Sequence, residues 1–293
     1  MPFHQLVIDL GRADPGPVEQ ACLGLGAIAV SLADAGDHPL LEPEPGATPL
    51  WPEVSLTALF GQTADPRLYA AVLTAVLGLP DDAIRIEHVA DRPWEREWLK
   101  DFRPMRFGGR LWVCPGGQPA PVADAVVLEL DPGLAFGTGT HATTALCLEW
   151  LDGHAPAGRR VLDYGCGSGI LALAALRLGA DSATAFDTDP QALIATRDNA
   201  RRNALTARLG IAETPAAIRG PFDVVLANIL AGPLMSLAPA LAGHCAPGGT
   251  IVLAGLLDAQ APEVAAAYGP WFDIAPAARR DGWTMLAGRR RVE

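Results

Sequence analysis

Residues 161–171 read Val-Leu-Asp-Tyr-Gly-Cys-Gly-Ser-Gly-Ile-Leu. An apolar run ends in an acid, Asp163, a glycine-rich turn follows, and an apolar helix begins. Gly165 and Gly167 permit bends that a Cβ would block, and they let a ligand approach the main chain closely. A dinucleotide fingerprint would need a third glycine at position 170, where the chain has Ile170. The spacing is instead Asp-x-Gly-x-Gly-x-Gly. Asp163 would repel a pyrophosphate, so the turn suits a ligand with a cationic group and no phosphate. A purely structural turn is the alternative, and three further loops weigh against it.

The first lies twenty-two residues after Gly165, where the segment Ala183-Thr184-Ala185-Phe186 ends in Asp187. An acid at the end of a second strand can accept both hydroxyls of an adenosine ribose. Asp189-Pro190 then opens a helix, so Asp189 is either a helix cap or a further ligand. In the second, the apolar run 222–227 delivers Asn228, whose amide offers donors and an acceptor able to hold a cofactor or an incoming amine. The third, Leu130-Asp131-Pro132-Gly133-Leu134-Ala135-Phe136-Gly137-Thr138-Gly139-Thr140-His141-Ala142-Thr143-Thr144, gathers glycines, threonines and one histidine before an apolar helix. That composition suits a lid with hydroxyl donors. Thr143 or Thr144 is either such a donor or only the helix N-cap, and His141 is the one candidate general base.

Strands alternating with helices must position these loops. From about residue 126, strands are expected at 161–163, 183–187, 222–228 and 250–257, and helices at 143–151, 170–179, 190–204 and 232–241. This is the pattern of a doubly wound, mostly parallel α/β sheet, whose ligand sits at the carboxyl ends of the strands. Residues 1–90 differ: strands at 4–10, 27–32, 54–60 and 84–89 with helices at 17–26 and 66–77 give the order βαββαβ, a small α+β ferredoxin-like domain. Residues 91–125 form a linker with a short helix to Phe102, carrying Trp94 and Trp98 on one face, and a hairpin around Gly108-Gly109. The third region, 126–293, is the doubly wound α/β domain that carries these loops.

Composition narrows the function. Half the 293 residues are apolar and 19% are charged, which suits a sizeable folded core. No apolar run reaches the roughly 18–20 residues of a membrane helix. The first residues lack the basic and apolar segments of a signal peptide. The five cysteines are scattered without a Cys-x-x-Cys pair, which argues against a disulfide framework or a metal site. A cytoplasmic protein without a membrane partner is expected. Residues 1–91 hold 13 acidic and 3 basic side chains, a net of −10, whereas the remainder is close to neutral. Such an acidic domain does not suit direct nucleic-acid binding; it can attract a basic protein, or the charge serves only solubility.

Taken together, the 130–144 segment, the Asp163–Gly169 turn, the residues Phe186–Pro190 and the run Asn228-Ile229-Leu230-Ala231-Gly232-Pro233-Leu234 resemble class I S-adenosylmethionine-dependent methyltransferases. More narrowly, they resemble the ribosomal protein L-eleven methyltransferase family (PrmA), over nearly the whole chain. The resemblance implies a Rossmann-like catalytic domain that uses S-adenosyl-L-methionine and releases S-adenosyl-L-homocysteine. It implies cofactor contacts at Thr144, Gly165, Asp187 and Asn228, with Gly167 in the same turn. The implied substrate is the free stalk-base protein of the large ribosomal subunit, methylated on lysine side chains and its N-terminal amine. The N-terminal domain would recognise it, and a monomer is expected. Ala142 stands where many relatives carry proline, which touches lid stiffness. Two other readings are a methyltransferase of another protein or amine, and a nicotinamide-dependent oxidoreductase, against which Asp163 and Ile170 speak. A binding module without catalysis is the third.

Overall fold

The computed structural model describes residues 3–36, 48–61, 65–80, 82–89, 103–131 and 139–292. Residues 37–47, the linker helix with Trp94 and Trp98, and residues 132–138 of the expected lid lie outside these. The chain divides into two compact units, Met1–Pro93 and Trp94–Glu293.

In the first unit, β1 (Phe3–Gly11), α1 (Gly16–Gly24), β2 (Ala29–Asp34), β3 (Val54–Phe60), α2 (Pro66–Leu77) and β4 (Ile84–Val89) follow the expected βαββαβ order. The strands form one antiparallel sheet, β2-β3-β1-β4. Alternation along β3 buries Val54, Leu56, Ala58 and Phe60, and the last three pack with Val18 and Cys22 of α1 and Leu73 of α2. Helix α2 has firm ends. Asp65 accepts the Arg67 and Leu68 N–H groups at 3.0 and 3.3 Å, and Gly78 closes the helix at φ +65°.

The second unit begins with a three-stranded sheet, β5 (Met105–Phe107), β6 (Leu111–Pro115) and β7 (Val126–Leu130). The hairpin expected at Gly108-Gly109 is present, tied by the Asp152 carboxylate, which accepts the N–H groups of Gly109, Arg110 and Leu111.

A seven-stranded sheet follows. Its strands are β8 (Arg160–Tyr164), β9 (Ser182–Phe186), β10 (Leu209–Ala212), β11 (Phe222–Asn228), β12 (Cys245–Leu257), β13 (Phe272–Arg280) and β14 (Trp283–Arg290). The order is β10-β9-β8-β11-β12-β14-β13, with β14 antiparallel to both its neighbours and the rest parallel. Helices α3 (Ala142–Gly153), α4 (Ile170–Arg177) and α5 (Pro190–Arg202) contribute to one core. Helices α6 (Ala231–Ser236), α7 (Ala238–His244) and α8 (Ala261–Tyr268) contribute to the other. Side chains of β8 alternate between the two, Val161 into the first and Leu162 into the second.

One expected helix is two. The span 232–241 breaks between α6 and α7, because Pro239 has no N–H to continue the ladder and its ring clashes with the turn before it. The strands β7, β10, β13 and β14 and helix α8 were not expected from the sequence.

Candidate functional site

Strand order reverses between β8 and β11, and this topological switch point is where an open α/β sheet binds its ligand. A cavity of about 770 Å³ opens there. Its floor is the glycine turn after β8. Gly165, Gly167 and Gly169 all have positive φ, at +81°, +53° and +80°, a conformation that costs an L-residue roughly 1–2 kcal/mol. The turn is strung from β9: the Gly165 and Cys166 N–H groups both donate to the Phe186 carbonyl, at 2.8 and 3.0 Å.

Buried polar residues of α5 brace the turn from below. The Thr196 hydroxyl donates to the Gly167 carbonyl at 3.0 Å, and the Asn199 amide donates to the Ser168 carbonyl at 3.0 Å. Asn199 also accepts the Asp131 N–H, and Asn203 both donates to and accepts from Glu129. One helix face thus ties the turn to the chain leaving β7.

Asp187 lies beside the turn and lines the cavity. Each carboxylate oxygen already accepts one backbone N–H, from Gly167 at 2.9 Å and from Asp189 at 3.0 Å. Lone pairs remain on both, so each oxygen can accept a further hydroxyl. Asp189 caps α5, accepting the Gln191 N–H at 2.8 Å, and does not line the cavity.

Asn228 ends β11 on the same edge, and its Nδ2 donates to the Thr144 hydroxyl at 3.2 Å. Thr144 is buried behind Asn228, while Thr143 lines the cavity. Gly165, Gly167, Asp187 and Asn228 therefore converge directly on one cavity, and Thr144 joins them through Asn228.

Three readings of these loops are corrected. The cap of α3 is His141 and neither threonine: its Nδ1 accepts the Thr143 N–H at 3.4 Å and lies 2.8 Å from the Thr143 hydroxyl. His141 is thereby occupied as a cap, with its ring edge-on to Trp283, 5.0 Å between centroids.

Asp163 does not face the ligand. It is fully buried on the α4 side of β8, where Oδ2 accepts the Ala172 N–H at 2.9 Å and Oδ1 has no hydrogen-bond partner among the described residues. Burial pushes its carboxyl up to about 7, opposed by the Ala172 N–H and assisted by Asp187. Cys166, within the turn, is no nucleophile either, since burial pushes its thiol far up.

Three residues of the cavity wall carried no sequence motif. Leu237 lies between α6 and α7, Trp283 begins β14, and Gly255 sits within β12 where the register against β14 shifts. The signal for α5 was available: Thr196, Asn199 and Asn203 follow the i, i+3, i+7 spacing of one helix face.

A family model described as ribosomal protein L11 methyltransferase (PrmA) matches residues 2–291 of the chain. The chain belongs to this family. It is 52% identical over 296 residues to the ribosomal protein L11 methyltransferase of Pseudomonas paraeruginosa, covering all of both chains. The Aeromonas salmonicida protein of the same name is 47% identical, with 99% of each chain covered. A crystal structure of a ribosomal protein L11 methylase from Lactobacillus delbrueckii subsp. bulgaricus is 32% identical at a TM-score of 0.60, covering 65% of this chain and all of that one. Membership of the PrmA family makes the doubly wound unit a methyltransferase fold. It also removes the oxidoreductase reading of the glycine turn.

Proposed function

We propose that the chain transfers methyl groups from S-adenosyl-L-methionine to amines of ribosomal protein L11, on lysine side chains and at the N-terminus. The observation that carries this reading is the convergence of the glycine turn, the Asp187 carboxylate and the Asn228 amide on one cavity, in a chain of the L11 methyltransferase family.

The cavity suits this cofactor. Positive-φ glycines leave the turn open to close approach, and Asp187 keeps acceptors for a ribose diol. Gly165, Gly167, Asp187 and Asn228 would hold the cofactor, with Thr144 acting through Asn228. When bound, S-adenosyl-L-methionine supplies a methyl group already activated on a sulfonium.

The protein must then present an uncharged amine and exclude water. A lysine has a pKa of about 10.4 in water, so its proton must leave first. Entry into a desolvated cavity beside a positive charge lowers that value. Asn228, steadied by Thr144, accepts an N–H of the amine through Oδ1 and so directs the lone pair. The proton leaves to solvent, because His141 is committed to capping α3.

The net charge of −10 in residues 1–91 suits recruitment of a basic protein, taken up free of the ribosome by a monomeric enzyme in the cytoplasm. No helix among the described residues is long and apolar enough to cross a membrane. Purified ribosomal protein L11 incubated with the enzyme and S-adenosyl-L-methionine is expected to show a ladder of single-methyl additions by intact-mass spectrometry. An unchanged mass, with cofactor binding intact, would discard this substrate.

A further inference from the structure

Ile229 follows Asn228 and is gripped from two sides. Its N–H donates to the Ala254 carbonyl of β12 at 3.1 Å. The next residue of that strand, Gly255, has φ +88° and lies so close that an added Cβ would overlap the Ile229 carbonyl. This is where the β12–β14 register shifts, so the irregularity in β12 makes room for the Ile229 backbone. On the other side, the Ile229 Cγ2 methyl rests on Gly165, where an added Cβ would overlap it.

The turn after β8 and the loop after β11 therefore touch through one methyl group. That methyl is the β-branch of the residue adjoining Asn228, and its stiff χ1 makes it a defined spacer. In-line transfer depends on the separation of donor and acceptor, and an error near 1 Å can cost about 100-fold in rate.

We propose that Ile229 is a positioning residue, whose Cγ2 fixes the distance between the cofactor-side turn and Asn228. Ile229 also lines the cavity, and its role is to set the spacing of these two neighbours. The inference rests on the methyl-transfer reading, and wild-type turnover in the same assay tests that reading separately.

The discriminating variants are Ile229→Leu, which conserves volume but removes the β-branch, and Ile229→Val, which keeps Cγ2. Ile229→Thr, also branched at Cβ, is a second branched control. Turnover of ribosomal protein L11, cofactor affinity by calorimetry and the melting temperature would be measured for each. Ile229→Leu is expected to lower kcat about 10- to 100-fold while cofactor affinity and melting temperature stay near wild type. Ile229→Val and Ile229→Thr are expected to recover most of kcat. Wild-type kcat in Ile229→Leu would overturn the proposal. So would equal losses in the leucine and valine variants, or a loss carried entirely by cofactor affinity.

Discussion

Gly165→Ala is expected to weaken S-adenosyl-L-methionine binding by about 100-fold. Two costs combine at this position. The residue sits at φ +81°, which costs alanine roughly 1–2 kcal/mol. The new Cβ would also overlap Ile229 Cγ2, and forcing an extra methyl into a packed site costs roughly 1–3 kcal/mol. The turn can relieve both only by moving, and its movement pulls Gly167 away from Asp187. About 1.4 kcal/mol corresponds to tenfold in affinity, so even the middle of this range gives the stated loss. Gly158→Ala is the control. Gly158 also has positive φ, +69°, but nothing lies within 4 Å of its would-be Cβ, and it precedes the opposite end of β8. It is expected to lower stability slightly and leave affinity unchanged. Calorimetric titration of both variants decides the matter, and near-wild-type affinity in Gly165→Ala would show that the cofactor does not lie against the turn.

Asp187→Asn is expected to weaken cofactor binding comparably, again by about 100-fold. The carboxylate serves two backbone donors at once, Gly167 N–H and Asp189 N–H. An amide has a single acceptor oxygen, so its NH2 must confront one of those N–H groups. Hydrogen bonds to a charged acceptor contribute about 1.5–3 kcal/mol each, and a ribose diol loses one of its acceptors in the same substitution. Asp189→Asn separates this role from capping. Asp189 accepts the Gln191 N–H in capping α5, and asparagine caps a helix as well as aspartate. Binding is expected to be unaffected there. Equal losses in the two variants would mean that Asp187 acts only by supporting the loop.

Much of this arrangement was legible in residue types and spacing. Helix α2 and strands β3, β4 and β11 have the expected bounds, because local signals coincide with burial: Asp65-Pro66 opens α2, Gly78 ends it, and β3 alternates cleanly. The glycine turn, Asp187 and Asn228 each end a strand at the carboxyl edge, so a correct strand pattern was enough to bring them together.

What stayed hidden depends on tertiary packing. Strand β13 carries Pro276 and ends in two arginines, and the proline sits at a register shift on an edge strand, where it is tolerated. With β13 and β14 unread, Trp283 could not be placed on the cavity wall. Asp163 looks like a ligand-facing acid from its motif. Only the sheet shows that its side chain turns to the α4 side and is buried. Thr196, Asn199 and Asn203 look like solvent-facing residues of a polar helix, yet their partners are backbone groups of distant loops. The role of Ile229 depends on contacts with two glycines 64 and 26 residues away in the chain.

In the proposed mechanism the enzyme aligns an amine without a strong general base, and Asn228 does the aligning. Its most direct test is the single-turnover rate of methyl transfer to ribosomal protein L11 by Asn228→Ala at saturating S-adenosyl-L-methionine, with cofactor affinity measured alongside. The rate is expected to fall about 100-fold, and to rise with pH as in the wild type, because the amine still loses its proton to solvent. Full turnover at unchanged cofactor affinity would contradict the account and require another group to orient the amine.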